Sequence, residues 1–165
     1  MSESELYEPS QKFIKRRYNC FFVATHVGKD SYGYADVFGI RYKNQEKSAI
    51  ETIGVEVKSW KQEVCRSFGQ AKGYSVFCHR IYYAVPKTIA NIETFSEEDK
   101  EIAKYLGIGL IEMRNRGSGY FCREVLEAPE NLPLSQCLDT VLKTKKVNMP
   151  QFCSKKEYRF KAHIA

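Results

Sequence analysis

Two acids and one lysine stand out in the sequence because each interrupts an otherwise apolar, strand-like stretch. Asp36 lies within "YGYADVFGIRYK" (32–43), and Glu56 and Lys58 lie within "ETIGVEVKSW" (51–60). In the second stretch apolar and polar residues alternate, which is typical of a strand with two different faces. Charged side chains in the middle of a sheet need partners, so these three residues are the first candidates for a functional site.

Pairing of the two strands would bring the acids together. Asp36 and Glu56 would then approach on one face, with Lys58 one step further along it. Two neighbouring carboxylates repel each other unless a positive charge lies between them, and Mg²⁺ prefers carboxylate oxygens, a backbone carbonyl and waters. The sequence therefore predicts a divalent-cation site, and the alternative is an exposed strand face with a surface ion pair worth about 0 to 1 kcal/mol.

The elements that must position these residues follow from periodicity and capping signals. Helices are predicted over 9–18, from Val64 to Cys78, over 96–107 with Ser96 as N-cap and Gly107 as stop, and from about Leu134 to Lys145. Strands are predicted over 20–28, 32–43, a third stretch carrying Glu56 and Lys58, 80–86, 108–113 and 119–127. Short turns between the first three strands predict an antiparallel meander, and strand–helix–strand units predict parallel neighbours. We expect an α/β fold with a mixed β-sheet flanked by helices, whose core order is αβββαβαβ.

Length and composition favour one domain over residues 1–165. The chain has 165 residues, of which 43% are hydrophobic, enough for a core of its own. No apolar run approaches the roughly 18 residues that span a bilayer, and the opening MSESELYE is too acidic for a signal peptide, so no membrane partner and a cytoplasmic location are expected.

The six cysteines are widely spread and form no CxxC pair, which favours reduced, mostly buried thiols. An iron–sulfur cluster would need a closer late group than Cys122, Cys137 and Cys153, although spacing alone leaves it open. The charge is unevenly distributed, because residues 143–165 carry seven basic residues and one acidic residue, whereas the first 142 residues are neutral. This basic C-terminal extension is either a phosphate-tracking arm or a solvated tail.

Together the motifs resemble a known family. Asp36, then Glu56-Val57-Lys58, then "QAKGY" (70–74) is similar to the PD-(D/E)xK, or restriction-endonuclease-like, nuclease superfamily. Its RecB-like and resolvase-like members carry a QxxxY motif on the helix after the catalytic strand. The resemblance covers roughly residues 5–115, and Ala35 replaces the name-giving proline. The ExK triplet alone is weak, since Glu98-Asp99-Lys100 repeats it in a predicted helix, where it is expected to be a solvated face.

The resemblance implies metal-dependent hydrolysis of phosphodiester bonds in DNA by an endonuclease. The implied catalytic residues are Asp36, Glu56, Lys58 and Gln70. Mg²⁺, for which Mn²⁺ would substitute, would be held by Asp36, Glu56 and the Val57 carbonyl. Glu8 is a further candidate ligand from the first helix, and the alternative is an acid that favours the helix dipole.

The implied nucleic-acid contacts are Lys61, Arg66, Lys72 and Tyr74, with a structural role as the alternative for Tyr74. Two other functions stay open: a catalytically inactive nucleic-acid-binding module of the same fold, and a structure-selective Holliday junction resolvase. A homodimer is expected if both strands are cut, because one site cuts one strand. The three histidines share no motif and are expected in packing or at the surface, namely His26, His79 and His163.

Overall fold

The computed structural model describes residues 2–61, 64–90, 92–117 and 119–145. In chain order the elements are α1 (Tyr7–Tyr18), β1 (Phe22–Lys29), β2 (Gly33–Tyr42), β3 (Ile50–Val57), α2 (Val64–Gly73), β4 (Arg80–Pro86), α3 (Glu97–Leu106), β5 (Gly109–Asn115), β6 (Tyr120–Leu126) and α4 (Ser135–Thr144). Short 3₁₀ turns precede α1 (Glu3–Leu6) and follow α2 (Tyr74–Val76). The predicted basic extension begins at the end of α4, and its part from residue 146 onward lies outside the described residues.

The six strands form one mixed sheet in the order β1-β2-β3-β4-β5-β6. β1, β2 and β3 are antiparallel neighbours, β3, β4 and β5 are parallel, and β6 returns antiparallel to β5. The predicted α/β class, with a mixed sheet flanked by helices, is confirmed. Because β3, β4 and β5 run in the same direction, their carboxyl ends meet at one edge of the sheet.

Helices cover both faces of the sheet. On one face α1 packs through Ile14 and Tyr18 against apolar residues of β2, β3 and β4. On the opposite face α2, α3 and α4 contribute residues such as Phe68, Ala103 and Leu138. β3 is buried along its whole length, because it lies between the two helical layers. Charged residues of β3 must therefore find partners inside the protein.

The predicted ends of α3 are confirmed, whereas the predicted end of α2 is wrong. Ser96 caps α3 by accepting a hydrogen bond from the Asp99 N–H, and Gly107 ends it in the left-handed conformation at φ 69°. The apolar stripe predicted a second helix as far as Cys78, but α2 ends at Gly73 and a 3₁₀ turn follows. The chain has to turn there to place β4 beside β3, and the later apolar residues stay buried without being helical.

The cysteines agree with the expected thiols where the structure describes them. Cys20, Cys78, Cys122 and Cys137 are free. Burial raises the pKa of the Cys20 thiol to about 12, which makes it unreactive at neutral pH. The side chains of Cys65 and Cys153 lie outside the description. Within the described ranges, every helix is too short or too polar to cross a bilayer.

His79 is a buried histidine that joins the start of β4 to β3. Its ring Nδ1 accepts a hydrogen bond from the Thr52 backbone N–H at 3.1 Å, which requires an unprotonated nitrogen. Burial lowers its pKa to about 4, and the positive charge of Lys43 contributes to the shift. An unfolded chain would take up this proton near pH 6.5. The stability that neutral His79 contributes is therefore present above about pH 6.5 and is lost as the pH falls toward 4.

We predict that His79→Gln flattens the pH dependence of stability between pH 6.5 and 5. In the wild type, His79 should lower the free energy of unfolding by up to about 1.4 kcal/mol for each unit by which the pH falls. The reason is that His79 binds a proton in the unfolded chain but not in the folded one. Urea denaturation at several pH values measures this slope. His26→Gln is the matched control, since His26 is exposed. Equal slopes in the wild type and in His79→Gln would contradict the buried neutral ring.

Candidate active site

Asp36 and Glu56 lie where strands β2 and β3 part. The backbone pairs of these strands end at Val37 and Val55, so the same register would next place Asp36 opposite Glu56. Instead, the Val57 N–H donates a hydrogen bond to Asp36 Oδ2 at 2.8 Å. A side-chain carboxylate thus takes the place of a backbone carbonyl in the ladder, and the strands separate without leaving a buried N–H unpaired.

Asp36 is also held by a residue that sequence reasoning missed. The Tyr7 hydroxyl, at the start of α1, donates a hydrogen bond to Asp36 Oδ1 at 2.9 Å. Burial and the negative charge of Asp36 together raise the pKa of Tyr7 well above its usual value, so the phenol stays protonated and keeps donating. Both carboxylate oxygens of Asp36 therefore have defined donors.

Glu56 is fully buried, at 0% exposure, so it does not lie on an exposed strand face. Its Oε2 accepts a hydrogen bond from the Tyr74 hydroxyl, and its Oε1 lies 2.5 Å from Lys58 Nζ. Burial, together with the charge of Asp36, raises the pKa of Glu56 to about 7, although Lys58 and Tyr74 act in the opposite direction. The influence of Asp36 shows that the two carboxylates interact electrostatically.

Lys58 is the positive group of the cluster. Its backbone N–H continues the ladder by donating to the Ala84 carbonyl at 3.0 Å. Its side chain is 12% exposed, and its ammonium also lies 3.9 Å from Glu3 Oε1. Burial alone would lower the pKa of Lys58, but Glu56, Glu3 and Asp36 outweigh burial and raise it. Lys58 is therefore a cation at neutral pH, held among three carboxylates.

The two acids receive their hydrogen bonds from opposite sides of the sheet. Tyr7 packs with the core beneath α1, and Tyr74 belongs to the core beneath α2. The carboxylate of Asp36 lies near the plane of the sheet, because it accepts a hydrogen bond from the backbone N–H of Val57 on β3. In an extended strand the N–H and the carbonyl of one residue point to the same side, so the Val57 carbonyl also points toward the gap between β2 and β3.

These oxygens suit a hard divalent cation. Glu56 Oε1 is buried, and its contact among the described residues is the ammonium of Lys58. Across the described ranges no three His, Cys, Asp or Glu side chains converge as a metal centre. The predicted set has two carboxylates and one backbone carbonyl instead. Mg²⁺ accepts such a set, since it usually keeps several of its waters.

The other predicted site residues lie at different distances from this cluster. Glu8 is exposed and pairs with Lys12 at 2.6 Å, while Glu3, which the sequence analysis did not single out, approaches Lys58. Gln70 is exposed, and it acts against the raised pKa of the buried Tyr74. Tyr74 is 1% exposed and faces Glu56, which agrees with its alternative structural role.

The predicted phosphate contacts differ in their surroundings. Lys61 is in ion-pair contact with Asp99, whereas Arg66 is exposed. Lys72 Nζ lies 3.4 Å from Asn131 Oδ1. The expectation that Glu98-Asp99-Lys100 is merely a solvated face is wrong for Asp99, which is buried because it closes the cap of α3.

Comparisons with known proteins identify a shared fold. No family model and no curated protein match this chain. It is similar to the solved structure of a protein of unknown function from Silicibacter pomeroyi, with a TM-score of 0.53 and 18% identity over 87% of this chain and 82% of that one. At this identity the likeness extends to the fold alone.

A second buried glutamate on β3 offers an internal comparison for Glu56. Glu51 is also 0% exposed, but it lies between two arginines: Arg80 Nε is 3.0 Å from its Oε1, and Arg41 contacts its Oε2. The same strand thus carries one carboxylate whose neighbours balance its charge and another, Glu56, that lies beside a second acid.

We predict opposite effects of neutralising these two glutamates in metal-free buffer at pH 8. Glu56→Gln should raise the free energy of unfolding by about 1 to 3 kcal/mol, because it removes a buried charge that Asp36 repels. Glu51→Gln should lower it by about 2 kcal/mol, because two arginines lose their anion. Urea denaturation measures both changes. Destabilisation by Glu56→Gln would show that its surroundings already balance its charge.

Proposed function

We propose that this protein is a metal-dependent nuclease that hydrolyses phosphodiester bonds in DNA as an endonuclease. The observation that carries the proposal is the buried carboxylate of Glu56, whose pKa is raised beside Asp36 while Lys58 lies 2.5 Å away. Two acids that repel each other at a strand gap, next to an ammonium, form an arrangement suited to a cation and a phosphate. The resemblance to the PD-(D/E)xK pattern supports the same reading.

The carboxylates of Asp36 and Glu56 and the Val57 carbonyl would hold Mg²⁺, or Mn²⁺ in its place. When bound, the ion would polarise a phosphate oxygen as a Lewis acid. Lys58 would orient the attacking water and stabilise its hydroxide form as a compact positive charge. Its position is fixed by Glu56 and Glu3. Tyr7 and Tyr74 act as positioning residues, because each donates to one carboxylate. The exposed Gln70 would hydrogen-bond the water, the phosphate or a ligand.

The surface next to α2 is suited to a nucleic-acid backbone. Arg66 is exposed on α2, and the half-buried Lys72 is near its end. Their charges would bind phosphates without reading sequence. Lys61 is the weaker candidate, since Asp99 already neutralises it. A homodimer would supply the second site that cleavage of both strands requires.

We predict that Lys58→Ala abolishes cleavage while sparing DNA binding. The substitution removes the charge beside the attacking water, so the rate should fall at least a hundredfold, as when other electrostatic groups are removed from active sites. Incubation of the purified protein with supercoiled, linear, single-stranded and four-way DNA in Mg²⁺ or Mn²⁺ measures cutting.

Lys104→Ala is the matched control for this substitution. Lys104 is also a lysine paired with a glutamate, but it is exposed on α3, where it contacts Glu101 at 2.7 Å. Cleavage should be retained in this variant. Equal cleavage by Lys58→Ala and the wild type would assign the activity to another site, and preference for four-way DNA would identify a junction resolvase.

We further predict that Mn²⁺ binding depends on Asp36. Calorimetry should detect binding to the wild type, and Asp36→Asn should weaken it at least tenfold, because an anionic ligand is lost. Asp30→Asn is the control, since Asp30 is exposed and accepts a hydrogen bond from Tyr34. Absence of Mn²⁺ binding even with DNA present would contradict the metal site and favour the nucleic-acid-binding module.

A further inference from the structure

A second charged cluster lies at the carboxyl edge of the parallel strands, two strands away from Lys58. The β4–β5 pairing places Val85 beside Glu112, and the β3–β4 register places Lys58 beside Val85. Glu112 lies two residues after Leu110, which belongs to the core beneath α2, so it points to the same face as Glu56. Two strand spacings separate Lys58 from Glu112, which is about 10 Å.

Glu112 is buried at 1% exposure, and four side chains surround its carboxylate. Thr94 donates to Oε2 at 2.5 Å, and Arg114 Nε donates to Oε1 at 2.6 Å. Arg123 Nε lies 3.4 Å from Oε1, and Lys87 Nζ lies 3.6 Å from Oε2. Three cations thus share one anion.

The contrast with the candidate metal site is one of charge. Glu56-x-Lys58 and Glu112-x-Arg114 both place a cation within 2.6 Å of a buried glutamate. Glu56, however, has a second acid beside it. Burial alone would raise the pKa of Glu112, but the hydrogen bonds of Thr94 and Arg114 and the charge of Lys87 outweigh burial and lower it. The first cluster therefore attracts a cation, and the second, with two positive charges in excess, attracts an anion.

These cations line a cavity of about 240 Å³ whose wall also includes Thr94, Phe95, Lys100 and the acidic residue Glu93. Lys100 is already balanced, because it contacts Glu93 at 3.0 Å and Glu97 at 2.5 Å. The Arg123 guanidinium is half exposed and accessible at the mouth, with its side chain at 53% exposure. The cavity is therefore open, polar and positively charged on the side of Lys87, Arg114 and Arg123.

We propose that this cavity binds a phosphate group of the nucleic-acid strand that is cut beside Lys58, a short distance along the strand from the scissile phosphate. The proposal rests on the proposed function and extends it to the path of the substrate along the carboxyl edge of β3, β4 and β5. Arginine suits this role because its planar fork matches phosphate oxygens. The buried Glu112 holds the cations in place without cancelling their charge.

Binding of a 12-nucleotide single-stranded DNA with a 3′-fluorescein label, followed by anisotropy in EDTA, tests the proposal. At 50 mM salt, Arg123→Gln and Arg114→Gln should each lower the affinity about tenfold and reduce the salt slope by about 0.7, because one phosphate contact is lost. Arg16→Gln is the matched control, since Arg16 is exposed on α1, on the other face of the sheet. It should change the affinity less than twofold.

The 5′ end of the oligonucleotide distinguishes the two sources of phosphate. If the cavity binds an internal diester, Arg123→Gln weakens binding of the 5′-hydroxyl and 5′-phosphate forms equally. If it binds a terminal monoester, the wild type prefers the 5′-phosphate form and Arg123→Gln removes that preference. Wild-type affinity in both arginine variants, or an equal loss in Arg16→Gln, would overturn the proposal.

The nuclease proposal can fail separately, because this binding is measured without metal. Absence of cutting in Mg²⁺ and Mn²⁺, together with the expected loss of affinity in Arg123→Gln, would contradict catalysis and leave the phosphate site standing. Arg123 is half exposed, so its substitution should leave the fold intact, and circular dichroism checks this.

Discussion

The repulsion between Asp36 and Glu56 is the constraint on which this site depends. Adjacent strands bring two carboxylates to one gap, and burial removes the water that would screen them. The protein offsets this cost with directed donors: the Val57 N–H and Tyr7 for Asp36, and Tyr74 for Glu56. Lys58 supplies one positive charge beside Glu56, and the pKa of Glu56 remains raised despite it. Under the proposed function, a divalent cation would offset the remaining repulsion.

The carboxyl edge of the parallel strands carries two clusters of opposite net charge. Near the carboxyl end of β3 an acid has an acid for a neighbour, whereas in the middle of β5 the acid Glu112 has three cations around it. Glu56 and Glu112 both point to the face of the sheet that α2 and α3 cover, about two strand spacings apart. A metal-bound phosphate and a second phosphate of one strand need this alternation of sign, so the two proposals describe one substrate path.

The sequence was most informative where a local rule decides the structure. Alternation predicted the strands, and Ser96 and Gly107 predicted the ends of α3. It was least informative where tertiary packing decides. The turn after Gly73 depends on the position of β4 beside β3, and the contact of Tyr7 with Asp36 depends on how α1 lies on the sheet. The sequence did not indicate the role of Glu112. A single acid in an apolar strand does not show that the cationic side chains of residues 87, 114 and 123 surround it in the fold.

The opposite origins of the two tyrosines have a consequence for partly folded chains. Tyr7 reaches Asp36 from the helical layer on one face, and Tyr74 reaches Glu56 from the layer on the other. If either helical layer separates from the sheet, Asp36 or Glu56 loses its tyrosine donor. Water then reaches the two carboxylates, and they can move apart. Under the nuclease proposal, a chain still emerging from the ribosome would therefore be harmless to nucleic acid until both layers have closed on the sheet.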